Sequence, residues 1–300
     1  MPLVNLDKPR DRDIHTIADF IEIYCLMSPD RIASREDLRD YIYDNSEKHL
    51  SDEDLEDTFS HLIWRNSAFK NSYPFFFIEH DKVLSAPETL DLEHENYVFL
   101  LLCANLPFFS NSDRNLLTQA FEKISLEALA GIWPASGKVK AFGKATTEYV
   151  GSKSERLRQL AINIGGQPTI TESSFRKNDS GDGGIDLAAW IELDDFEGRH
   201  VPSLLAQCAC SRSEWVKKQT EISYDRLGPQ LAPTHRWIQM IFIPQCFRNN
   251  AGKWAYQSEV GSTILMDRVR IIRQINAYRF FGLGVDQLLQ RFKTEKLELV

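Results

Sequence analysis

Two stretches constrain the fold of this chain more than any others: Gly181-Asp182-Gly183-Gly184-Ile185-Asp186-Leu187 and Leu204-Leu205-Ala206-Gln207-Cys208. Both run into apolar residues suited to a strand, and residues 194–198 between them have the acidic and glycine content of a turn. The pattern predicts an antiparallel hairpin with strands over 185–191 and 201–210. With the turn near residue 196, Asp186 and Gln207 lie equally far from it, so they are expected opposite one another, Cβ to Cβ about 4.5–5.5 Å apart. Alternation then puts Ala188 and Trp190 on the face of Asp186, and Ala209 on that of Gln207. A carboxylate beside an amide oxygen on rigid strands is a pair of hard oxygen ligands, the kind that holds Mg²⁺ or Mn²⁺.

The residues before the hairpin read differently. A helical stripe runs through Ile17, Phe20, Ile21 and Tyr24. Ser34 with Asp37, and Ser51 with Asp54, have the spacing of capping boxes and open two more helices. Pro74 to Ile78 and Val83-Leu84 suggest a short hairpin turning at His80-Asp81. Three helices and a hairpin outline a winged helix. Two further helices are expected over 95–105 and 112–131. The segment Pro134 to Lys138 punctuates the chain, which predicts a mainly helical region over 1–140 and an α/β domain over 141–300. In the latter, residues 154–164 form a helix, 168–170 a short strand, 213–224 a helix, 237–244 a buried strand, and 262–277 and 285–292 two helices. This order implies a small mixed sheet flanked by helices.

Charge separates the same two regions. The chain carries a net −8, but residues 1–137 hold 12 basic and 25 acidic side chains, whereas residues 227–300 hold 10 basic and 5 acidic. The acidic part repels a phosphate backbone, which argues against DNA reading by the winged-helix outline and for a protein partner there. The basic part includes Arg268, Arg270 and Arg273 on the expected helix 262–277, a candidate phosphate-tracking surface with Arg212. Five cysteines without a CxxC pair read as buried free thiols of a reducing cytoplasm. No apolar run reaches the length of a membrane span, and the N-terminus lacks the basic start and apolar core of a secretory signal.

The two hairpin motifs resemble the catalytic hairpin of the restriction-endonuclease-like PD-(D/E)xK nuclease superfamily. The likeness is nearest to its Mrr-like branch, which writes GDGGID followed by a QCK-type strand. It covers roughly residues 150–245. The resemblance implies a restriction-endonuclease-like fold and a Mg²⁺-dependent DNA endonuclease, with a setting in restriction or antiphage defence. It implies Asp186 and Gln207 as metal ligands, and Glu155 as the helix-borne glutamate that completes the site. Because enzymes of this kind often pair two sites to cut both strands, a homodimer is expected by analogy.

One position departs from the pattern. The family carries a lysine two residues after the Gln position, where this chain has Ala209. Either the cation has migrated to the following helix, where Lys217 and Lys218 stand, or the site has lost its chemistry and the fold serves as an adaptor or nucleic-acid-binding subunit. Migration is the preferred reading, because Asp182 and Asp186 both persist. The remaining readings stay open at this point: Asp182 as a turn former, Glu155 as a first-turn glutamate favoured by the helix dipole, and Gln207 as part of a buried polar network.

Overall fold

The computed structural model describes residues 3–45, 50–143, 148–175, 183–275 and 282–297. Along the chain the elements are α1 (Ile14–Met27), β1 (Ile32–Ser34), α2 (Arg35–Asn45), α3 (Asp52–Phe69), β2 (Phe76–Ile78), β3 (Val83–Ser85), α4 (Leu92–Cys103) and α5 (Asn111–Ile132). Then follow β4 (Lys138–Ala141), α6 (Lys153–Asn163), β5 (Leu187–Trp190), β6 (Ser203–Cys208), α7 (Trp215–Lys218), α8 (Tyr224–Leu231), β7 (Ile238–Phe242), β8 (Ile264–Met266), α9 (Arg268–Gln274) and α10 (Leu283–Thr294). The protein is thus mixed α/β. Among the described residues no helix is long and apolar enough to cross a membrane. Its five cysteines are all buried, and no disulfide joins them.

The chain forms two compact units. The first comprises Met1–Ala120, Pro244–Gln257 and Ala277–Val300, and the second Phe121–Ile243 and Ser258–Asn276. The division therefore falls within α5 and the chain returns to the first unit twice, unlike the single cut expected after residue 140.

In the first unit, β1, β3 and β2 form an antiparallel sheet in that order, with Leu84 facing both Ala33 and Phe77. Both expected capping boxes form: Asp37 N donates to Ser34 Oγ at 3.0 Å and Asp54 N to Ser51 Oγ at 3.0 Å, with the carboxylates reciprocating. Helix α1 is buried along nearly its whole length and carries two acids inward. There Arg65 of α3, fully buried, reaches Asp19 at 2.7 Å and Glu22 at 3.0 Å. Tyr73 and Tyr97 add hydroxyl donors to Glu22 at 2.9 and 2.8 Å, and the Asn105 amide donates to Asp19 at 3.1 Å. Two buried carboxylates persist beside one guanidinium because neutral donors satisfy the remaining lone pairs.

The second unit holds a five-stranded sheet in the order β4-β5-β6-β7-β8. The first three strands are antiparallel, and β6, β7 and β8 run parallel. The expected hairpin is present, with Leu187 opposite Ala206 and Trp190 opposite Ser203. One core packs α6 and α8 on a single sheet face, through Leu157, Leu160, Leu227 and Leu231 against Ala188, Trp190 and Leu205.

Four segments differ from expectation. Strand β4, read as punctuation, pairs along the whole of β5; its two lysines suit an edge strand and masked it. Residues 168–170 form no strand, and only Gly166 bridges to Pro233. The helix expected over 213–224 is only the four residues of α7, and α8 follows it. Residues 262–277 are not one helix, because Ile264–Met266 extends the sheet and Asp267 caps a shorter α9.

Candidate metal centre

Asp186 sits where β5 begins, and its backbone is held from both sides. Its N–H donates to Ala206 O at 2.9 Å, while its own carbonyl accepts from Phe142 N at 2.6 Å and Gly143 N at 3.1 Å. Its carboxylate, on a residue only 8% exposed, accepts the Cys208 N–H at 2.7 Å through Oδ2. A side-chain oxygen thus takes the ladder position where β5 and β6 separate.

The expected partnership with Gln207 does not form, for a local reason. Ala206 is the register partner of Leu187 and also accepts the Asp186 N–H, so the β5 side takes up one extra residue, as in a β-bulge. The alternation shifts by one there. Ile185 joins Ala188 and Leu205 in the α6–α8 core, and Asp186 turns away from it. Gln207 shares the parity of Leu205. Its Nε2 donates to Glu221 Oε2 at 3.0 Å, and its Oε1 is buried with no hydrogen-bond partner among the described residues.

The neighbour Asp186 does have is Glu122 of α5, which the sequence reading missed. A Cβ placed on Gly143 would lie 2.8 Å from Glu122 Oε2 and 3.7 Å from Asp186 Oδ1, so both carboxylates border one point. Cys208 borders them too. Burial first, then the charges of Asp186 and Glu122, push its thiol well above the usual range, so it stays protonated. A signal for Glu122 existed: it stands one turn before Ser125 and two turns before Leu129, both fully buried, which puts an acid on the edge of a buried stripe.

Two further residues shape this corner. Arg156 of α6 donates to Gly143 O at 3.2 Å and also to Phe142 O, and its guanidinium lies over the Phe142 ring, 4.9 Å from the centroid. It thereby fixes the segment that bonds the Asp186 carbonyl. Gly184 has φ +83°, and a Cβ there would meet Glu221 Oε2 at 2.6 Å and Cβ at 2.7 Å. The third glycine of the GDGGID run is therefore required both for its backbone and for the approach of Glu221.

No known family, curated protein or solved structure matches this chain. The chemistry of the site rests on its own geometry.

The other expected residues fall as follows. Glu155 closes a capping box: its Oε2 accepts Ser152 N at 2.7 Å and Ser152 Oγ at 2.9 Å. Those bonds, the backbone one first, hold its carboxyl below the ordinary range, so its observed role is at the start of α6. Ala209 is buried and its N–H donates to Phe242 O at 2.9 Å. Lys217 is exposed and Lys218 half-buried, and neither makes an ion pair among the described residues. Lys218 O accepts Glu221 N at 2.9 Å, so the lysine pair lies one turn before Glu221. Arg226, also missed, donates to Glu221 O at 2.9 Å, and its Nη1 lies 3.3 Å from the Gly184 Cβ position. Arg212 is half-buried. Arg268 is fully buried and cannot serve as the surface phosphate contact expected of it; Arg270 is half-buried and donates to Leu265 O at 2.7 Å, whereas Arg273 is exposed. Gly181 and Asp182 lie outside the described residues.

Asp186 and Glu122 offer hard oxygens at one point, which fits Mg²⁺ or Mn²⁺. Among the described residues no three His, Cys, Asp or Glu side chains form a metal-ligand cluster.

Proposed function

We propose that the second unit is a metal-dependent phosphodiesterase acting on DNA, with Asp186 and Glu122 as its protein ligands. The observation that carries this reading is the convergence of those two carboxylates beside Gly143. The element order supports it: α5, the antiparallel strands β4, β5 and β6 with α6 inserted between the first two, the α7–α8 crossover and the parallel β7 resemble the helix-and-sheet order of a restriction-endonuclease-like core. The first unit has the helix–strand–helix–helix–hairpin order of a winged helix. The acids of α3 favour a protein partner over DNA there.

A bound divalent ion would polarise the phosphodiester and supply a water of lowered pKa. The residues around it do the positioning. Asp186 is held by the Cys208 N–H, and Arg156 holds the Phe142–Gly143 turn from which the Asp186 carbonyl hangs. The protonated Cys208 adds no negative charge to the acid pair. Arg226 stands beside the Gly184 turn, two residues before Asp186 in the chain, and is the candidate for the positive charge that a phosphate needs. This reading keeps the migrated cation and replaces Glu155 by Glu122. It retains the restriction or defence setting, the cytoplasm and a homodimer as expectations from the resemblance.

The second reading, an adaptor or nucleic-acid-binding subunit without chemistry, is favoured by two observations: Gln207 is engaged by Glu221, and the family's lysine position is a buried alanine. Plasmid cleavage with Mg²⁺ or Mn²⁺ separates the two. The nuclease reading expects nicking or linearisation by the wild type, abolished in Asp186→Asn and Glu122→Gln. Equal cutting by all three proteins, or no cutting by any, would overturn it.

A further inference from the structure

Within the first unit, β1, the β2–β3 hairpin, α2 and α3 enclose a groove of about 690 Å³. Ile63 of α3 and Ile78 of β2 lie on its floor, 39% and 37% exposed, with Val83 beneath. Glu36, Glu79 and Asp81 stand on its rim, and none of the three makes an ion pair among the described residues. The rim's cations do not balance them: Arg35 is turned over the Phe59 ring, 5.2 Å from its centroid, which leaves Lys82. These half-exposed isoleucines and the unneutralised acids around them give the groove an apolar floor and an acidic rim. The hairpin tip is also held in an unusual shape, with Glu79, His80 and Asp81 all left-handed at φ 53°, 55° and 66°. The acids therefore project from a defined turn.

We propose that this groove binds a basic amphipathic segment of a partner protein, its aliphatic side chains seated on Ile63 and Ile78 and its lysines or arginines on Glu36, Glu79 and Asp81. The sign of the rim selects the partner. A phosphate backbone would meet these carboxylates and be repelled, and α3, the helix that carries Ile63, adds the first-turn acids Asp52, Glu53 and Asp54. A cationic segment gains both the apolar floor and the charge. The proposal does not use the Asp186 site and stands or falls apart from it.

The test uses the full chain and a labelled amphipathic peptide of about 14 residues with Leu on one helical face and Lys elsewhere, read by fluorescence anisotropy. Its Glu-for-Lys counterpart and a labelled DNA duplex are run alongside. The Lys peptide should bind and weaken with added salt, and the Glu peptide should not bind. Ile63→Ser and Ile78→Ser should each weaken binding about tenfold, and Glu36→Gln about threefold. Ile162→Ser, on the exposed face of α6, should leave it unchanged. Thermal melts identify a variant that has lost its fold, and the two isoleucine positions check each other. Absence of Lys-peptide binding, binding by both isoleucine variants equal to that of the wild type, or duplex binding that Ile78→Ser removes would overturn the proposal.

Discussion

Gln207 gives its amide Nε2 to Glu221 Oε2 at 3.0 Å, and this bond fixes which end of a buried amide is left over. With Glu221 as acceptor, Oε1 must be the free end, and it is buried without a partner among the described residues. Removing the acceptor in Glu221→Ala would leave both ends unsatisfied. The expected cost is about 1–3 kcal/mol, read as a lower urea midpoint at unchanged slope. Gln207→Leu should recover part of that loss in the Glu221→Ala background, since it removes the stranded amide. A double variant no more stable than Glu221→Ala would contradict the account.

The two glycines beside Asp186 should respond unequally. Gly183 and Gly184 both have positive φ, 77° and 83°. A Cβ on Gly183 would meet nothing closer than Leu157 at 3.8 Å, whereas one on Gly184 would run into Glu221 at 2.6 Å. Gly183→Ala carries backbone strain of about 1–2 kcal/mol. Gly184→Ala carries that strain plus a collision, and should be the more destabilising by chemical denaturation. Gly184→Ala with Glu221→Ala, which relieves the collision, should cost less than the two single changes added together.

The hairpin was legible in the sequence because it combines a glycine-rich entry, apolar runs and a polar turn, all local signals. Its register was legible too, since Leu187–Ala206 and Trp190–Ser203 keep the spacing that the turn centre predicts. The face of Asp186 was not. It depends on one extra residue between Ile185 and Leu187, which is set by bonds from Phe142, Gly143 and Cys208, distant in sequence. Glu122 was missed for a related reason: it reaches the site from α5, well before the motif. Strand β4 was hidden because an edge strand bearing Lys138 and Lys140 lacks the apolar alternation of an inner one. In the helical unit the capping boxes and the α1 stripe sufficed, because helices are written in local periodicity.

Arg156 should act on the acid pair without touching it. Its guanidinium holds the Phe142 and Gly143 carbonyls, and those residues bond the Asp186 backbone. Arg156→Met keeps much of the volume and removes the donors, leaving buried carbonyls unpaired at about 1–3 kcal/mol. If Asp186 and Glu122 hold a divalent ion, Mn²⁺ affinity measured by electron paramagnetic resonance should fall about tenfold in Arg156→Met, with both carboxylates still present. Unchanged affinity in a folded variant would show that the turn does not position the site.

The acid sensitivity of the first unit should centre on His61. This residue is fully buried, with Nδ1 2.8 Å from Asn250 Oδ1 and Nε2 3.3 Å from His15 Nδ1. Burial first, then the Arg65 and His15 charges, bring its pKa down to about 2, so the folded protein keeps it neutral. The unfolded chain takes up a proton near pH 6.5, the ordinary value. Above that pH neither state is protonated there and the contribution to stability is complete. As pH falls from about 6.5 toward the folded value, only the unfolded state binds the proton, and stability drops by up to about 1.4 kcal/mol per pH unit. Carboxylates titrate lower, so the window between about pH 6.5 and 5 isolates the histidine. Urea unfolding across that window should show a decline in the wild type and a flatter profile in His61→Gln, which can still bond Asn250. Parallel profiles would mean that the imidazole is protonated in the folded protein and that its burial does not exclude the charge.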